Sequence, residues 1–562
     1  MKIVASATLA LMLFINTVSC ARNHTSATVD SLAASSATVG QHPEAGVSAP
    51  SPPAVTLDTT IPRMMGRTIA VHGGANAAAA LQAAFDQALP GDMIVLDAGA
   101  QFVGNFTLPA KREADGKWLV VRTSAENKLP VGARVSPADA VAMPKLVSPN
   151  ADATLKTAPA AHHIRLVGIE FTVAPNWAQN HGLVLLGDGG SDQNDLRQVP
   201  HDLIIDRCYV HGNATGNLRR GIALNSARTA VIDSYVADCR EVGADAQAIC
   251  GWNGPGPFKI VNNYLEGSGE NFMLGGADPS IKDMVPSDVE FRRNTLAKPL
   301  AWKVGHPSYA GKHWAVKNLF ELKNARRVLV DGNVLENCWL DAQVGFAIQL
   351  TPRNQDGAAD WSTVEDVTLT NNVVRRSAGG INILGRDDNH PSGQAQRIRI
   401  ANNLFEEIGG PQWGGNGRFL QISEADTIVV DHNTVLHSGN IITAYGKPST
   451  NFVFTNNLMA HNEYGVIGDG ASVGLITLQR YFPNGVFKKN AIAGGRSSSY
   501  PPDNFFPASL DDAQFVDRAH RSYGLSATSP YRKAATDGRA IGCDPSALES
   551  ALPPARAAQG AR

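Results

Sequence analysis

The chain lacks an excess of basic charge: 49 Lys and Arg stand against 51 Asp and Glu, a formal net charge of −2. Such a balance offers no broad cationic field for nucleic acid, so an anionic ligand must be met by a local cluster of cations. Cysteine is scarce as well, with six in 562 residues and no CxxC or Cys/His metal spacing, which argues against a zinc site. Setting aside Cys20, the remaining Cys208, Cys239, Cys250, Cys338 and Cys543 are odd in number, and buried thiols are expected rather than a complete disulfide framework. Beyond the N-terminus there is no apolar run of about 18 residues, the length a membrane helix needs.

What is present begins with an export signal over residues 1–20: Lys2, a mostly apolar stretch from Ile3 to Val18, then Ser19-Cys20. Thr17-Val18-Ser19-Cys20 resembles a bacterial lipobox, with Cys20 as the lipidated residue; cleavage without lipid is the alternative. Either route implies a periplasmic, outer-membrane-anchored or secreted protein that touches the membrane only through Cys20. Residues 21–62, rich in Ala, Ser, Thr and Pro, read as a disordered tether. The folded domain is expected over 63–548, followed by a tail over 549–562. At the start of the domain, Asn76 reads as a helix N-cap with Leu81, Phe85 and Leu89 on one helical face, and Pro90-Gly91-Asp92 as the stop. Such a helix would cover the open edge of the strand array behind it.

That array announces itself by repetition. A short apolar strand, a polar pair ending in Asn and a second apolar pair recur as Ile260 to Leu265, Phe291 to Leu296, Val330 to Leu335, Leu369 to Val374, Ile400 to Phe405, Val430 to Val435, Phe454 to Met459 and Phe487 to Ile492. The Asn slots are Asn263, Asn294, Asn333, Asn372, Asn403, Asn433, Asn457 and Asn490. Two earlier copies carry Cys208 and Tyr235 there instead. Spacings of 24 to 39 residues suit one solenoid coil plus loops, and a coil cannot bury its own apolar face, so neighbours must stack. Asn suits the stacked turn because it tolerates left-handed backbone and both donates and accepts hydrogen bonds. The expected fold is therefore all-β, a right-handed parallel β-helix with an N-terminal helical cap.

This ladder, the cap, His162-His163-Ile164-Arg165 leading into Gly168-Ile169-Glu170-Phe171, and the closing Ile541-Gly542-Cys543-Asp544 together resemble the pectate-lyase-like β-helix superfamily over about residues 66–548. One fold hosts several functions, so reaction must be argued from the site.

Between successive Asn turns lies another strand per coil: Arg220 to Ser226, Glu270 to Gly275, Leu319 to Lys323, Phe346 to Thr351, Gly380 to Leu384, Arg418 to Ser423 and Ile441 to Tyr445. Period-two alternation turns Phe320, Leu322, Ile348, Leu350, Ile381 and Ile383 inward. It turns Glu321, Lys323, Gln349, Thr351, Asn382, Leu384, Gln421, Ser423, Thr443 and Tyr445 outward onto one wall, with Arg353, Arg386 and Lys447 just beyond. The two longest coils add loop residues, among them Trp302, His313, Trp314 and Trp361, whose rings and charges suit acidic sugars.

Glu321-Leu322-Lys323-Asn324 resembles part of the alginate lyase and chondroitinase B family. The resemblance implies β-elimination of an acidic polysaccharide, with Lys323 as base, Arg353 as helper, and Ca²⁺ held by Glu321 and Asn271. Arg386, Asn382, Gln349, Gln421, Tyr445, His313 and Trp314 would line the substrate. The family places two Glu in the strand where this chain has one. Two other readings stay open: a hydrolase using the adjacent Asp387 and Asp388, and a non-catalytic glycan-binding or adhesive solenoid. No nucleic-acid partner is expected, and the chain is expected to act as a monomer.

Overall fold

The computed structural model describes residues 47–61, 63–113 and 115–553; the expected signal, Cys20 and most of the tether lie outside them. Three parallel sheets of 14, 12 and 13 strands run the length of the molecule, each coil contributing one strand to each sheet. The coil around Asn333 is representative: Ala325–Asp331 in the 14-stranded sheet, the Asn333 turn, Val334–Cys338 in the 13-stranded sheet, a loop, then Phe346–Leu350 in the 12-stranded sheet. The chain is a right-handed parallel β-helix, as expected. The helix Ala77–Gln87 caps the first coils through buried Leu81 and Phe85. Asn76 makes no side-chain cap bond, and Leu89, expected on the buried face, falls past the helix end and is exposed.

The asparagines line up. Asn372 Oδ1 accepts from the backbone N–H of Asn333 (2.9 Å) and from Asn333 Nδ2 (2.9 Å), while Asn372 Nδ2 donates to Val330 O and to Asn403 Oδ1. The same pattern joins Asn263 through Asn490 and goes one step further than expected, to Asn504. At the other end the slot holds Ser234 rather than Tyr235: its N–H donates to Asn263 Oδ1, and its hydroxyl accepts from Cys208 N. Tyr235 instead starts the next strand and stacks on Tyr264. The residue before each slot takes left-handed backbone, as at Asn262, Arg293, Asn371 and Asn402. Asn pays the smallest penalty among non-glycine residues there, which is why it so often fills both positions of the pair.

The first and the last of the described residues are strapped onto this stack. The last residues assigned to the tether are held against the 14-stranded sheet. Ser51 N donates to Asp366 Oδ1 (2.8 Å), Ala54 N donates to Asp288 Oδ1 (2.7 Å), Lys259 Nζ donates to Leu57 O, and Arg165 donates to Thr59 O. At the other end, Gly542, Cys543 and Asp544 bond to Asn456, Thr434 and Asn402, and the helix Pro545–Ala551 continues past the expected domain end. Gly332 makes room for it, because a Cβ there would lie 2.2 Å from Ala551 O.

Removing a mid-ladder amide strands donors and acceptors on two neighbouring coils, whereas the last rung has one neighbour. Asn372→Ala is expected to lower unfolding free energy by about 3 kcal/mol and Asn504→Ala by about 1 kcal/mol, measured by urea denaturation. Equal losses at the two positions would contradict a ladder that works through both neighbours.

Candidate functional site

The 12-stranded sheet places the expected wall in register. Met273, Glu321, Gln349, Asn382, Gln421 and Thr443 are successive partners across Glu270–Leu274, Asn318–Leu322, Phe346–Leu350, Gly379–Leu384, Leu420–Ser423 and Ile442–Ala444. Phe320, Leu322, Ile348, Leu350, Ile381 and Ile383 fill the interior behind them. The column is more covered than an open wall: Glu321, Asn382 and Gln421 are each 2% exposed and Gln349 is 8%.

The amides form a directed chain. Gln421 Nε2 donates to Asn382 Oδ1 (2.9 Å), Asn382 Nδ2 to Gln349 Oε1 (2.8 Å), and Gln349 Nε2 to Gln343 Oε1 (2.9 Å). At one end Arg418 Nη1 donates to Gln421 Oε1. A guanidinium has no acceptor, so this end sets the orientation of every amide after it. The chain points toward Asn318, whose Nδ2 donates to Glu321 Oε2 (3.1 Å).

Around Glu321 the charges are paired. Lys323 Nζ lies 3.3 Å from Glu321 Oε1, and Lys317 Nζ lies 3.0 Å from Glu270 Oε1 and 2.7 Å from Asp245 Oδ2. Gln247 Nε2 donates to Glu270 Oε2 (2.7 Å). Burial pushes the Glu321 carboxyl upward, yet Lys323, Lys317 and the Asn318 amide together hold it below the usual glutamate range. Burial would likewise pull Lys317 down, but Glu270, Asp245 and Glu321 raise it above its ordinary value. Lys317 is therefore a permanent cation of the site.

That arrangement bears on calcium. The carboxylates of Glu270 and Glu321 offer the hard oxygens the ion prefers, but two ammonium groups already sit against them. Asn271, the second expected ligand, is turned the other way. The strand starts with a break in alternation, so the partner of Glu321 on that coil is Met273, and Asn271 pairs with no strand residue. Its Nδ2 donates to Leu265 O and Ala297 O, and its Oδ1 accepts from Lys298. Fully buried Lys298 also donates to the carbonyls of Gly267, Ser268 and Gly269, and burial brings its pKa down to about 8. The residues present do not fit a calcium ion.

Other expected residues are placed differently. Trp314 is buried with Trp302, Trp339 and Trp413 in a small core under the long loop, with Arg240 and Lys312 over its ring, so it does not face a substrate. Tyr445 follows the end of its strand, where alternation no longer holds, and packs against the main core, while Leu384, the last residue of its strand, lies within that core. His313 is exposed and its Nε2 lies 2.6 Å from Asp341. Arg386 braces its turn through Ser392 O and Gln394. Arg353 pairs with Asp387 and, at 3.1 Å, with Asp388, while its backbone N–H donates to Lys323 O (2.8 Å).

Glu270, Gln247, Lys317 and Arg418 escaped the sequence reading. Counting parity back from Met273 lands on Asn271, and the break at the strand start hands the outward position to Glu270. Gln247 belongs to the strand Gln247–Gly251, which goes unrecognised in the sequence because its outward neighbour is the apolar Cys250. Lys317 and Arg418 precede their strands, where periodicity says nothing about direction.

Elsewhere, His162, His163, His201 and Asp202 cluster at the edge of the 14-stranded sheet, with the ligand atoms of His163, His201 and Asp202 within 4.8 Å of one another. Arg228 donates to both Asp202 and His201, so a positive charge is already built into that group.

No protein-family model matches the sequence. No curated protein matches it. Among solved structures the chain is similar to pectate lyase Pel9A, with 13% identity, 85% of this chain and 96% of that chain covered, and a TM-score of 0.37. It is also similar to the PL6 family alginate lyase AlyGC, with 12% identity, 84% and 57% covered, and a TM-score of 0.36. A tailspike protein variant of E. coli bacteriophage HK620 in complex with a pentasaccharide aligns at 14% identity over 78% and 69%, with a TM-score of 0.45.

If Lys317 is the cation these carboxylates require, Lys317→Met leaves buried Glu270 without its counter-charge. The expected loss is about 3–5 kcal/mol of stability in chemical denaturation. Millimolar calcium or a chelator is expected to move the melting temperature of the unaltered protein by less than about 1 °C, since an ion that does not bind the native state cannot stabilise it. A calcium-dependent rise of several degrees would show that the carboxylates do take the ion.

Proposed function

We propose that this protein is an exported lyase that cleaves uronate-containing polysaccharide by β-elimination, with Lys323 as the base. The observation that carries this reading is the place of Lys323. Its side chain is 17% exposed, at the edge of a buried, registered polar column whose other members are almost closed to solvent. β-Elimination requires a base to take the proton from the carbon beside the uronate carboxylate, and a positive field to stabilise the charge that develops there. The C–H electron pair becomes the new double bond, the bond to the glycosidic oxygen breaks, and that oxygen takes a proton from solvent water while Lys323 returns the one it accepted to solvent.

A glutamate beside a lysine favours the charged ammonium, which opposes a base. Here Glu321 is shared: Lys317 and Asn318 also hold it, so it does not answer to Lys323 alone. Arg353 is assigned a positioning role, because two carboxylates neutralise it and its backbone holds the carbonyl of Lys323. The paired-Asp hydrolase is disfavoured by the same contacts. The Asp387 side chain is 0% exposed and accepts from Arg353, Asn354 N and Asn389 N, leaving it no room to trade protons with a substrate.

The test is incubation with alginate, pectate, glucuronan and glycosaminoglycans, followed by ultraviolet absorbance for the conjugated double bond. The natural sequence is expected to generate it on at least one polymer, and Lys323→Ala to lower that rate by roughly 10³-fold with an unchanged circular dichroism spectrum. Undiminished cleavage by Lys323→Ala would remove the proposed base. New reducing ends without absorbance would mark a hydrolase, and polymer retention without products a binding module.

A further inference from the structure

We infer that Arg418 forms a carboxylate-binding subsite on the same face, taking the uronate carboxylate of a sugar some rings away from the one at Lys323. This rests on the reading of an acidic polysaccharide as ligand, but not on its being cleaved. The first observation is a charge left over. Lys317 faces Glu270 and Asp245, Lys323 faces Glu321, Arg353 faces Asp387, and Lys447 faces Glu424. Among the described residues Arg418 has no carboxylate within ion-pair distance. Its Nη1 is committed to Gln421, and its Nε is buried without a hydrogen-bond partner. Burial accordingly pulls its pKa below the ordinary arginine value, with Asp469 opposing that from a distance. A half-buried guanidinium whose Nε is closed off from water and idle is costly, and a ligand that supplies two oxygens relieves the cost.

The second observation is the space in front of it. Arg418 lines a recess of about 80 Å³ together with Val344, Phe346, Ala378, Asn416 and Gln421. One water needs about 10–15 Å³ of such space, so the recess has room for a carboxylate. Its walls are largely apolar, which excludes water and strengthens a charge pair formed inside. Gln421 belongs to both the recess and the polar column that Lys323 flanks. Three strand steps separate Gln421 from Glu321, about 14 Å along the stack. A fork-shaped cation displaced from Lys323 by those steps and also along the strands, since Arg418 precedes Leu420 whereas Lys323 follows Leu322, reads the charge of a polymer away from the reacting bond, and binding energy of this kind acts mainly on KM.

The experiment is calorimetric binding of oligoalginate and oligogalacturonate, each compared with the same oligosaccharide after reduction of its carboxylates to primary alcohols. The unaltered protein is expected to bind at least one acidic oligosaccharide and to bind its reduced counterpart at least about tenfold more weakly. Arg418→Met is expected to lose that preference, binding both forms at the level of the reduced one, and Arg418→Lys to restore part of it. If Arg418→Met fails to fold, Arg418→Gln, which removes the charge and keeps an amide donor for Gln421, carries the same comparison. An acid preference that survives the loss of Arg418 overturns the subsite, as does equal or absent binding of both forms by the unaltered protein. The two readings fail separately. Binding that depends on Arg418 without double-bond products sinks the lyase and keeps the subsite, while products with an intact acid preference in Arg418→Met do the reverse.

Discussion

Each ladder asparagine from Asn294 onward answers three demands at once: its oxygen takes the backbone N–H and the side-chain amide of the coil before it, and its nitrogen caps a carbonyl of that earlier coil's strand. Register follows from this. With the amides locked from Asn263 to Asn504, a strand cannot slip by one residue without breaking a buried hydrogen-bond column, and a slip of one would also turn every core residue outward. The polar column is a consequence of that lock. Gln349, Asn382 and Gln421 come from three separate stretches of chain, and only the shared register makes them a continuous line of hydrogen bonds.

The repeat was legible because its chemistry is local. A left-handed turn followed by a buried amide asks for Asn at a fixed offset from an apolar strand, and that offset can be counted without knowing what stacks on what. The strands of the 12-stranded sheet were legible too, through alternation such as Phe320, Leu322, Ile348 and Leu350. What alternation could not supply was direction at the strand ends. There the backbone breaks step, and alternation misleads at Asn271 and Tyr445 for that one reason. The slot error at Tyr235 has a related origin: Ser234 meets the same hydrogen-bonding demand with a hydroxyl, a smaller signal beside a prominent aromatic.

The electrostatics of the candidate site were less legible still. Glu321 and Lys323 announce a pair, but the second carboxylate, Glu270, arrives from the preceding coil, and its partner Lys317 stands before the strand begins. The single glutamate of the strand motif is thus matched by another that only stacking brings near. Trp314 shows the opposite failure. Aromatic loop residues suggested an exposed sugar platform, whereas four tryptophans use their bulk to fill the space beneath an otherwise unsupported loop. A long loop on a solenoid needs a core of its own before it can present anything to a ligand.

The N-terminal strap sets an order of events. Ser51 reaches Asp366, a sequence separation of 315 residues, while Arg165 and Lys259 hold the segment nearer the cap. Its anchoring points lie along the chain in the order Arg165, Lys259, Asp288, Asp366, so the strap can dock fully only once coils have accumulated beneath it. Such high contact order delays the last docking step until about two-thirds of the coils exist. Residues 51–59 therefore precede every coil in the sequence and are among the last to be immobilised.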